Sequence, residues 1–344
     1  MLQGPEGDFR VLVDVHLKSH GGAVAWPRSA VIALRSEFRN LTIFETAVPV
    51  APESGVVTLS MTASKDEVEL WWPKGLGNQK LYHVEVSFQT DDYHSQWIRK
   101  KIGFRTCALV TVNDTDDSLI SDIVRNNSEG SGMHGMFLRV NGAPIWSRGA
   151  NVVPMDQLEG RLTDDAHRIM VQSAAEAKMN MLRIWGGGMI LPNAFYDACD
   201  ENGLLIYHDM MFVDEQYHGP TRTQVIEDEI RFTIRELSSH PSIVLWSGCN
   251  ECTVRMKTET EVYATFVMQT VAQEDNTRSI WPSCPAAVGW ETGVHTISGR
   301  PNGKSLSTMD STQLNGSMPL EIHGPYQHGF SITSPSVNGQ DDGW

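Results

Sequence analysis

The chain has 344 residues, 40% of them hydrophobic and 20% charged, which is enough for two or three domains of ~100–200 residues each. Asp and Glu number 42 against 27 Lys and Arg, so the formal charge is −15. A chain this acidic repels a phosphate backbone, and nucleic acid is excluded as an expected partner. No apolar stretch approaches the ~20 residues of a membrane-spanning helix, so no membrane partner is expected either.

Cysteines and glycosylation motifs bear on the cellular compartment. The five cysteines are odd in number and lack the spacing of a disulfide framework, so a free thiol is expected. Four Asn-x-Ser/Thr motifs would be glycan sites in a secretory protein: Asn40, Asn113, Asn126 and Asn315. The first residues do not resemble a signal peptide. We therefore expect either a cytoplasmic protein or a chain whose natural start lies elsewhere.

The first part of the chain is predicted to be a small antiparallel β-sandwich. Apolar residues occupy every odd position from Phe9 to Leu17, which is the period of a strand with one buried face. Similar runs follow at Val31–Leu34, Val56–Met61, Val68–Trp72, Tyr82–Phe88 and Trp97–Phe104. Short strands at this spacing are typical of a sandwich, which we assign to residues 1–110. Residues 111–135, rich in Asp, Asn, Ser and Gly, are predicted to be a linker.

Residues 136–344 show strands that alternate with helices. The predicted strands are Pro144–Gly149, Met181–Trp185, Leu204–His208, Ile243–Trp246, Ser279–Trp281 and Leu320–His323. The predicted helices are Thr163–Lys178, Pro192–Asn202, Gln224–Ser238 and Glu261–Asp275. This alternation predicts a parallel sheet with helical crossovers. About six strand–helix units can be counted, whereas a closed (β/α)₈ barrel takes ~250 residues. We therefore predict a TIM-barrel catalytic domain that ends before its strands 7 and 8.

Two of these helices have a predicted buried face. Thr163 is expected to cap the first helix, since a Thr hydroxyl accepts from the free N–H groups of a first turn. The face predicted for that helix is Ile169, Met170, Ser173, Ala174 and Ala177. The face predicted for the third helix is Ile226, Ile230, Ile234 and Leu237.

Polar and aromatic residues follow four successive predicted strands of the barrel. Asn151 follows the first, Trp185 the second, Asp209 the third, and Asn250 with Glu251 the fourth. Active sites of such barrels lie where the strands end, because loops there vary without disturbing the packed interior. The carboxyl edge of the sheet is therefore the predicted site.

Glu251 is the sharpest candidate at this edge. It follows an apolar strand, and Trp246 could supply the apolar setting that raises the pKa of a carboxylic acid. Such an acid can protonate the leaving oxygen of a glycosidic bond. The alternative is a Glu that caps the next helix or forms an ion pair there, and the spacing alone does not decide.

Other candidates have equally plain alternatives. Asp209 could bind sugar hydroxyls, orient Arg183 or cap a loop, and His323 could face the same mouth or be a buried structural histidine. The glycines of residues 186–188 lack the spacing of a nucleotide-binding loop. Cys249 and Cys252 match Cys-x-x-Cys, which would allow redox or metal chemistry, but a second ligand pair is missing. Neither a metal nor another cofactor is predicted.

Several segments resemble glycoside hydrolase family 2, the β-galactosidase/β-glucuronidase superfamily, and within it the β-mannosidases most closely. In the sandwich these are residues 71–79, Trp-Trp-Pro-Lys-Gly-Leu-Gly-Asn-Gln, and residues 102–105, Ile-Gly-Phe-Arg. In the barrel they are residues 137–156, 182–188, 195–201, 208–212 and 240–251. The last of these leads directly into Asn250 and Glu251.

The resemblance implies an immunoglobulin-like β-sandwich followed by a TIM barrel, with retaining cleavage of terminal β-D-mannose from oligosaccharides or glycoprotein glycans. It implies that Glu251 is the general acid/base and that Asn250 holds the hydroxyl next to the anomeric carbon. The other residues expected to bind substrate are Trp185, Asp209, Trp246, Arg183 and His323. It further implies a lysosomal or secretory location for the full-length protein, with the cytoplasm as the alternative.

Two departures from the family pattern matter. Cys249 stands where the family usually has Asn. The nucleophilic Glu is expected on the seventh strand in a Ser-Glu-Tyr-Gly-like motif, which does not occur here, and Glu321 is a poor substitute because its neighbours resemble the sixth-strand segment. The alternatives are therefore a catalytically dead carbohydrate-binding or vestigial fragment, or a related exo-β-glucosaminidase or β-galactosidase.

Overall fold

The chain folds as two units, seen in a computed structural model that describes residues 2–3, 8–17, 30–39, 44–48, 55–90, 97–110, 137–213, 223–251, 263–275, 277–281 and 283. The first unit takes in residues 1–71 and 80–105, and the second takes in residues 72–79 and 106–344. The sandwich predicted for residues 1–110 overlaps with the first unit without coinciding with it.

The first unit is built from antiparallel strands in two sheets. Its strands are β1 Leu2–Gln3, β2 Phe9–His16, β3 Ala30–Ser36, β4 Phe44–Val48, β5 Val56–Ala63, β6 Tyr82–Thr90 and β7 Trp97–Ile102. The described strands pair in the orders β1-β2-β5 and β4-β3-β6-β7, and a 3₁₀ turn at Glu37–Arg39 follows β3. One apolar cluster includes residues of both sheets, so the two sheets share a core.

Strand β2 shows why the period of two predicts this fold. Phe9 and Val11 are buried, while Arg10 and Leu12 are exposed. The ring of Phe104 packs against Phe9, Phe38 and Tyr82, with ring centroids 5.0–5.5 Å apart. This aromatic cluster forms the centre of the shared core.

One predicted strand of this unit is wrong. Residues 68–72 form no regular strand: Leu70 makes an isolated bridge to Phe104, the Trp71 N–H donates to the Phe104 carbonyl at 2.8 Å, and the Trp72 N–H donates to the Asn78 carbonyl at 2.9 Å. Pro73 then ends the pairing, because proline has no N–H to donate to a ladder. The aromatic residues Trp71 and Trp72 are typical of strands, which explains the wrong prediction. Trp71 is buried, but it lies outside any regular strand.

The second unit contains a small antiparallel sheet and a parallel one. The antiparallel sheet consists of β8 Cys107–Val110, β9 Phe137–Val140 and β10 Ala143–Ile145. The parallel sheet has five described strands in chain order: β11 Gly149–Val152, β12 Met181–Ile184, β13 Leu205–Asp209, β14 Ile243–Ser247 and β15 Ser279–Trp281. The helices are α1 Asp164–Glu176, α2 Asn193–Asn202, α3 Gln224–Leu237 and α4 Gln269–Glu274. A 3₁₀ turn lies at Glu159–Arg161 and a π-helical turn at Tyr263–Met268.

The parallel α/β alternation is confirmed, but its first strand begins later than predicted. The strand predicted at Pro144–Gly149 is divided, since β10 returns antiparallel to β9 and β11 starts at Gly149. The Asn180 amide group holds the break: it accepts from the Arg148 N–H at 2.7 Å and donates to the Trp146 carbonyl at 2.9 Å. A distant side chain thus satisfies the backbone that a longer strand would have used.

The predicted face is confirmed for α3 and only in part for α1, where Ala174 is buried and Met170 packs against the core. In α3, Ile230, Ile234 and Leu237 are buried and Ile226 packs against the same core. In α1 the buried residues are His167, Val171, Ala174 and Ala175, whereas Ile169 is 62% exposed. The buried set has the i, i+4, i+7, i+8 spacing of a helix stripe. His167 is polar and was therefore not counted as part of an apolar stripe, although it is buried.

Several predictions lie outside the described residues: Glu321, His323, the strand Leu320–His323, the linker and the four glycosylation motifs. Within the described residues, no helix is long and apolar enough to cross a membrane. Cys199 is a free thiol, which agrees with the expectation from the odd number of cysteines.

Candidate active site

One buried arginine joins the carboxyl ends of the parallel strands. Arg183, on β12, is 1% exposed. Its Nε and Nη2 donate to the two carboxylate oxygens of Asp209, at 3.3 and 2.5 Å. Its Nη2 also donates to Oδ1 of Asn250 at 2.9 Å, and its Nη1 donates to Oδ1 of Asn151 at 3.2 Å. The guanidinium therefore links β12 to the ends of β11, β13 and β14.

The register of the sheet explains this meeting. Asn151 pairs with Arg183, and Arg183 pairs with Tyr207 on the next strand. Side chains two residues apart on a strand point to the same face, so Asp209 shares the face of Tyr207. Asn151, Arg183 and Asp209 therefore project to one side of the sheet.

Asp209 is fully buried and bound by several donors. Besides Arg183, the Gly186 N–H donates to its Oδ2 at 3.0 Å. Burial raises the pKa of Asp209, although Arg183, Gly186 and Ser247 each act to lower it. A buried carboxylate is tolerated only where it is paired and hydrogen-bonded, and Arg183 meets both conditions.

Asn250 is held by its backbone as well as by its side chain. Its N–H donates to the Phe212 carbonyl at 2.9 Å, and Val213 pairs with it in an isolated parallel bridge. The bond from Arg183 identifies Oδ1 as the acceptor, so the amide NH₂ group is the donor end of this side chain. Asn250 is thereby fixed between two strand ends.

Glu251 follows directly and is exposed, in contrast to Asn250. Its φ of 59° lies in the left-handed region, which a non-glycine residue seldom adopts. The chain is not described again until Tyr263, so whether Glu251 caps a helix stays untested. Glu251 is thus the residue that follows Asn250, which is hydrogen-bonded to Arg183.

Trp246 is placed differently from the other candidates. It is fully buried in the apolar core shared with the helices, and its indole N–H donates to Oδ2 of Asp275 at 2.9 Å. The structure does not bring it to the Arg183 cluster. Trp185, by contrast, is half-buried at the end of β12, immediately before Gly186.

A neutral histidine supports the end of β13. His208 contacts the Asp209 carbonyl through Nδ1 at 2.7 Å and the Tyr196 hydroxyl through Nε2 at 2.8 Å. Burial lowers the pKa of His208 to about 4, so the ring is neutral at pH 7. The Nδ1–H donates to the carbonyl, and Nε2 accepts from Tyr196.

A second buried ion pair supports the start and end of β14. Nη1 of Arg278 donates to Oδ2 of Asp275 at 2.5 Å, and Nε donates to the Ile243 carbonyl at 2.7 Å. Burial opposes ionisation, yet Arg278 and the Trp246 indole hold the pKa of Asp275 well below its usual range. Sequence reasoning missed Asp275, Arg278 and Tyr196, because none of them stands at a strand end.

Two further groups could suggest a metal. Ligand atoms of Asp197, Asp200 and His240 lie within 4.8 Å of one another. Asp200 already accepts from the Ser242 N–H at 3.0 Å and contacts Nδ1 of His240 at 2.6 Å, which accounts for its burial without an ion. Cys249 is buried in a disulfide, and Cys252 lies outside the described residues.

The chain thus has a unit of antiparallel sheets, followed by a parallel α/β sheet with the Arg183 cluster at its carboxyl edge. Comparisons with known proteins give the family that it resembles. Residues 10–105 match the family model of the glycosyl hydrolases family 2. The β-mannosidase of Mus musculus is 32% identical over 251 residues, covering 68% of this chain and 27% of that relative. The β-mannosidase of Capra hircus is 38% identical over 187 residues, covering 54% and 20%.

Among solved structures, the β-D-mannosidase of Dictyoglomus thermophilum superposes with a TM-score of 0.62 at 25% identity, covering 81% of this chain and 33% of that one. The chain is similar to glycosyl hydrolase family 2 and, over a longer stretch, to β-mannosidases, which confirms the resemblance seen in the motifs. The alignment with the mouse relative spans about a quarter of that relative's length.

Proposed function

We propose that this chain is part of a retaining glycoside hydrolase. The enzyme cleaves terminal β-D-mannose from oligosaccharides or glycoprotein glycans, and Glu251 is its general acid/base. The observation that carries the proposal is the buried guanidinium of Arg183, which joins Asp209, Asn250 and Asn151 beside Glu251. Such a cluster presents fixed polar groups to sugar hydroxyls, and a carboxyl group stands at its margin. The names of the relatives support mannose as the sugar.

The architecture of the proposal goes further than the described strands. We assign an immunoglobulin-like sandwich to residues 1–110, a linker to 111–135 and part of a (β/α)₈ barrel to 136–344. Two antiparallel sheets with one core support the first assignment, and five parallel strands in chain order support the last. Residues 72–79 and 106–110 cluster with the second unit, so a boundary inside these ranges is an alternative.

Each candidate residue takes a role that its position supports. Asn250 and Trp185 are proposed to contact the sugar, Arg183 and Asp209 to hold the site and reach its hydroxyls, and Trp246 to act from the core behind it. His323 stays a predicted sugar ligand.

Double displacement also needs a nucleophilic carboxylate about 5 Å from the acid/base. Glu321 remains the weak candidate of the sequence, outside the described residues. A lysosomal or secretory location also stays a prediction.

The test is hydrolysis of aryl β-glycosides by the 344-residue chain and by any longer form of the protein that contains it. In a longer form, we expect β-mannosides to be cleaved in preference to β-glucosaminides and β-galactosides. Glu251→Gln should lower kcat/KM on substrates with poor leaving groups about 10²–10⁴-fold, the usual contribution of general acid catalysis. The matched control is Glu229→Gln, since Glu229 is exposed on α3.

Different failures have different meanings. Hydrolysis that survives Glu251→Gln would contradict the role of Glu251 and favour the capping alternative. Sugar binding without turnover in every form would favour the inactive carbohydrate-binding alternative. We expect the 344-residue chain alone to show no turnover, because it lacks the seventh-strand motif. Robust turnover by that chain would promote Glu321.

A further inference from the structure

Gly186 sits where three strand ends converge. Its N–H donates to the Asp209 carboxylate at 3.0 Å. A Cβ atom added to Gly186 would lie 2.4 Å from the Phe212 carbonyl oxygen, 2.7 Å from that of Met210 and 3.3 Å from the Asn250 nitrogen. These neighbours are backbone atoms, which cannot rotate away as a side chain would. No side chain of any kind fits at position 186 in this arrangement.

The reason for glycine here is space and not backbone conformation. Gly75, Gly142 and Gly203 are the described glycines with positive φ, and Gly186 is not one of them. The segment Met210–Val213 fills the room that a Cβ would take. Glycine is favoured not only where φ is positive but also where another stretch of backbone approaches closely.

The segment that Gly186 admits is the one that holds Asn250. The Phe212 carbonyl, which a Cβ at position 186 would strike, accepts the Asn250 N–H at 2.9 Å. Val213 forms the adjacent bridge to Asn250, and the Met210 N–H donates to the Ser247 carbonyl at 2.8 Å. The segment 210–213 is thus hydrogen-bonded at two points, to Ser247 at the end of β14 and to Asn250 three residues later.

We infer that Gly186 is a positioning residue of this site: its missing side chain lets residues 210–213 dock against β14 and hold Asn250, and with it Glu251, in place. The methyl group of an alanine would push the Phe212 carbonyl away from the Asn250 N–H. Asn250, and Glu251 after it, would then lose this backbone hydrogen bond to residues 210–213. The catalytic consequence rests on the proposed function, but the docking itself does not.

The docking is tested by amide hydrogen exchange on the 344-residue chain, followed residue by residue by NMR. In Gly186→Ala we expect the Asn250 amide to exchange on the order of tenfold faster or more, while amides of Leu182 and Ile206 keep their protection. The matched control is Gly160→Ala, because a Cβ at Gly160 meets no atom within 4 Å. Unchanged exchange at Asn250 would overturn the inference, and so would equal acceleration throughout the sheet.

The catalytic part is tested by kcat/KM in whichever form of the protein hydrolyses β-mannosides. Gly186→Ala should lose about 100-fold on methylumbelliferyl β-mannoside, as expected for a misplaced catalytic group, and much less on a dinitrophenyl β-mannoside that needs no acid. Equal losses on both substrates would contradict a role in placing Glu251. If no form hydrolyses mannosides, the proposed function fails, while the exchange experiment still decides the docking.

Discussion

Arg183 illustrates how much of this site depends on a single side chain. Its guanidinium is buried together with the carboxylate that neutralises it, and it also holds the amide oxygens of Asn151 and Asn250. Removing one member of a buried ion pair leaves the other charged and unpaired, which costs far more than the pair contributes. The site should therefore be sensitive to either partner and more tolerant of the loss of both.

Asp209→Asn is expected to lower the free energy of unfolding by ~3 kcal/mol or more, because it removes the carboxylate that is paired with the buried Arg183 guanidinium. Urea denaturation measures this loss. Asp228→Asn, at an exposed position on α3, should stay within ~0.5 kcal/mol of the parent protein. A double Arg183→Met, Asp209→Leu variant should be more stable than Asp209→Asn. If the double variant is less stable than Asp209→Asn, the interactions of Arg183 with Asp209 stabilise the fold by more than their burial costs.

His208 gives the fold a pH dependence of predictable sign. Burial lowers the pKa of His208 to about 4, below its ordinary value of 6.5, so protonation favours the unfolded chain. The stability that His208 contributes is complete above pH 6.5 and is lost as the pH falls toward 4. Between pH 7 and pH 5 this amounts to ~2 kcal/mol.

In His208→Gln, the stability difference between pH 7 and pH 5, measured by urea unfolding, should therefore be smaller than in the parent protein. His16→Gln serves as the control, since His16 is exposed at the end of β2. The same pH dependence in His208→Gln and the parent would mean that other groups set the acid limit of the fold.

At the level of elements, the pattern of apolar residues predicted most strands and helices. Half-buried strands such as β2 repeat their apolar residues every two positions and helices every 3.6, whereas the fully buried strands β13 and β14 are short apolar runs. For α1 it was right about Ala174 but missed His167, which lies on the buried stripe, and wrongly included Ile169, which faces solvent. It also located Asp209 and Asn250 as strand-end residues. The alternative in which Asp209 orients Arg183 agrees with the two hydrogen bonds between them. The bond from Arg183 to Asn250 was not predicted, since it depends on the register between strands that are far apart in sequence.

The predicted cap of α1 offers a direct test at this level. The Thr163 hydroxyl accepts from the Ala166 N–H at 3.2 Å, as expected from its position before the helix. Thr163→Ala should lower stability by ~1 kcal/mol, whereas Thr163→Ser keeps the hydroxyl and should cost much less. Chemical denaturation of the two variants distinguishes a cap from a merely exposed threonine, for which both changes would be neutral.

At the level of the whole molecule, the two units have apolar clusters without a common residue. Each cluster lies within one of the two units into which the chain divides. Units with cores of their own can unfold separately, and a single unfolding free energy then describes neither of them.

Phe104→Ala should lower the stability of the first unit by ~3–5 kcal/mol, the usual cost of removing a buried aromatic ring. Hydrogen exchange can follow both units in one experiment. We expect the Ile32 amide in β3 to lose protection, while the Ile206 amide in β13 keeps it. Parallel losses at both positions would show that the units unfold as one.

The left-handed conformation of Glu251 has a consequence for protein engineering. A φ of 59° costs a residue such as glutamate on the order of 1–3 kcal/mol, whereas asparagine adopts this region more readily. Glu251→Asn should therefore melt at a higher temperature than Glu251→Gln, although both lack the carboxylate. Directed evolution for thermostability alone would accordingly drift toward asparagine here and discard the proposed acid, so any such campaign needs a hydrolysis screen at every round.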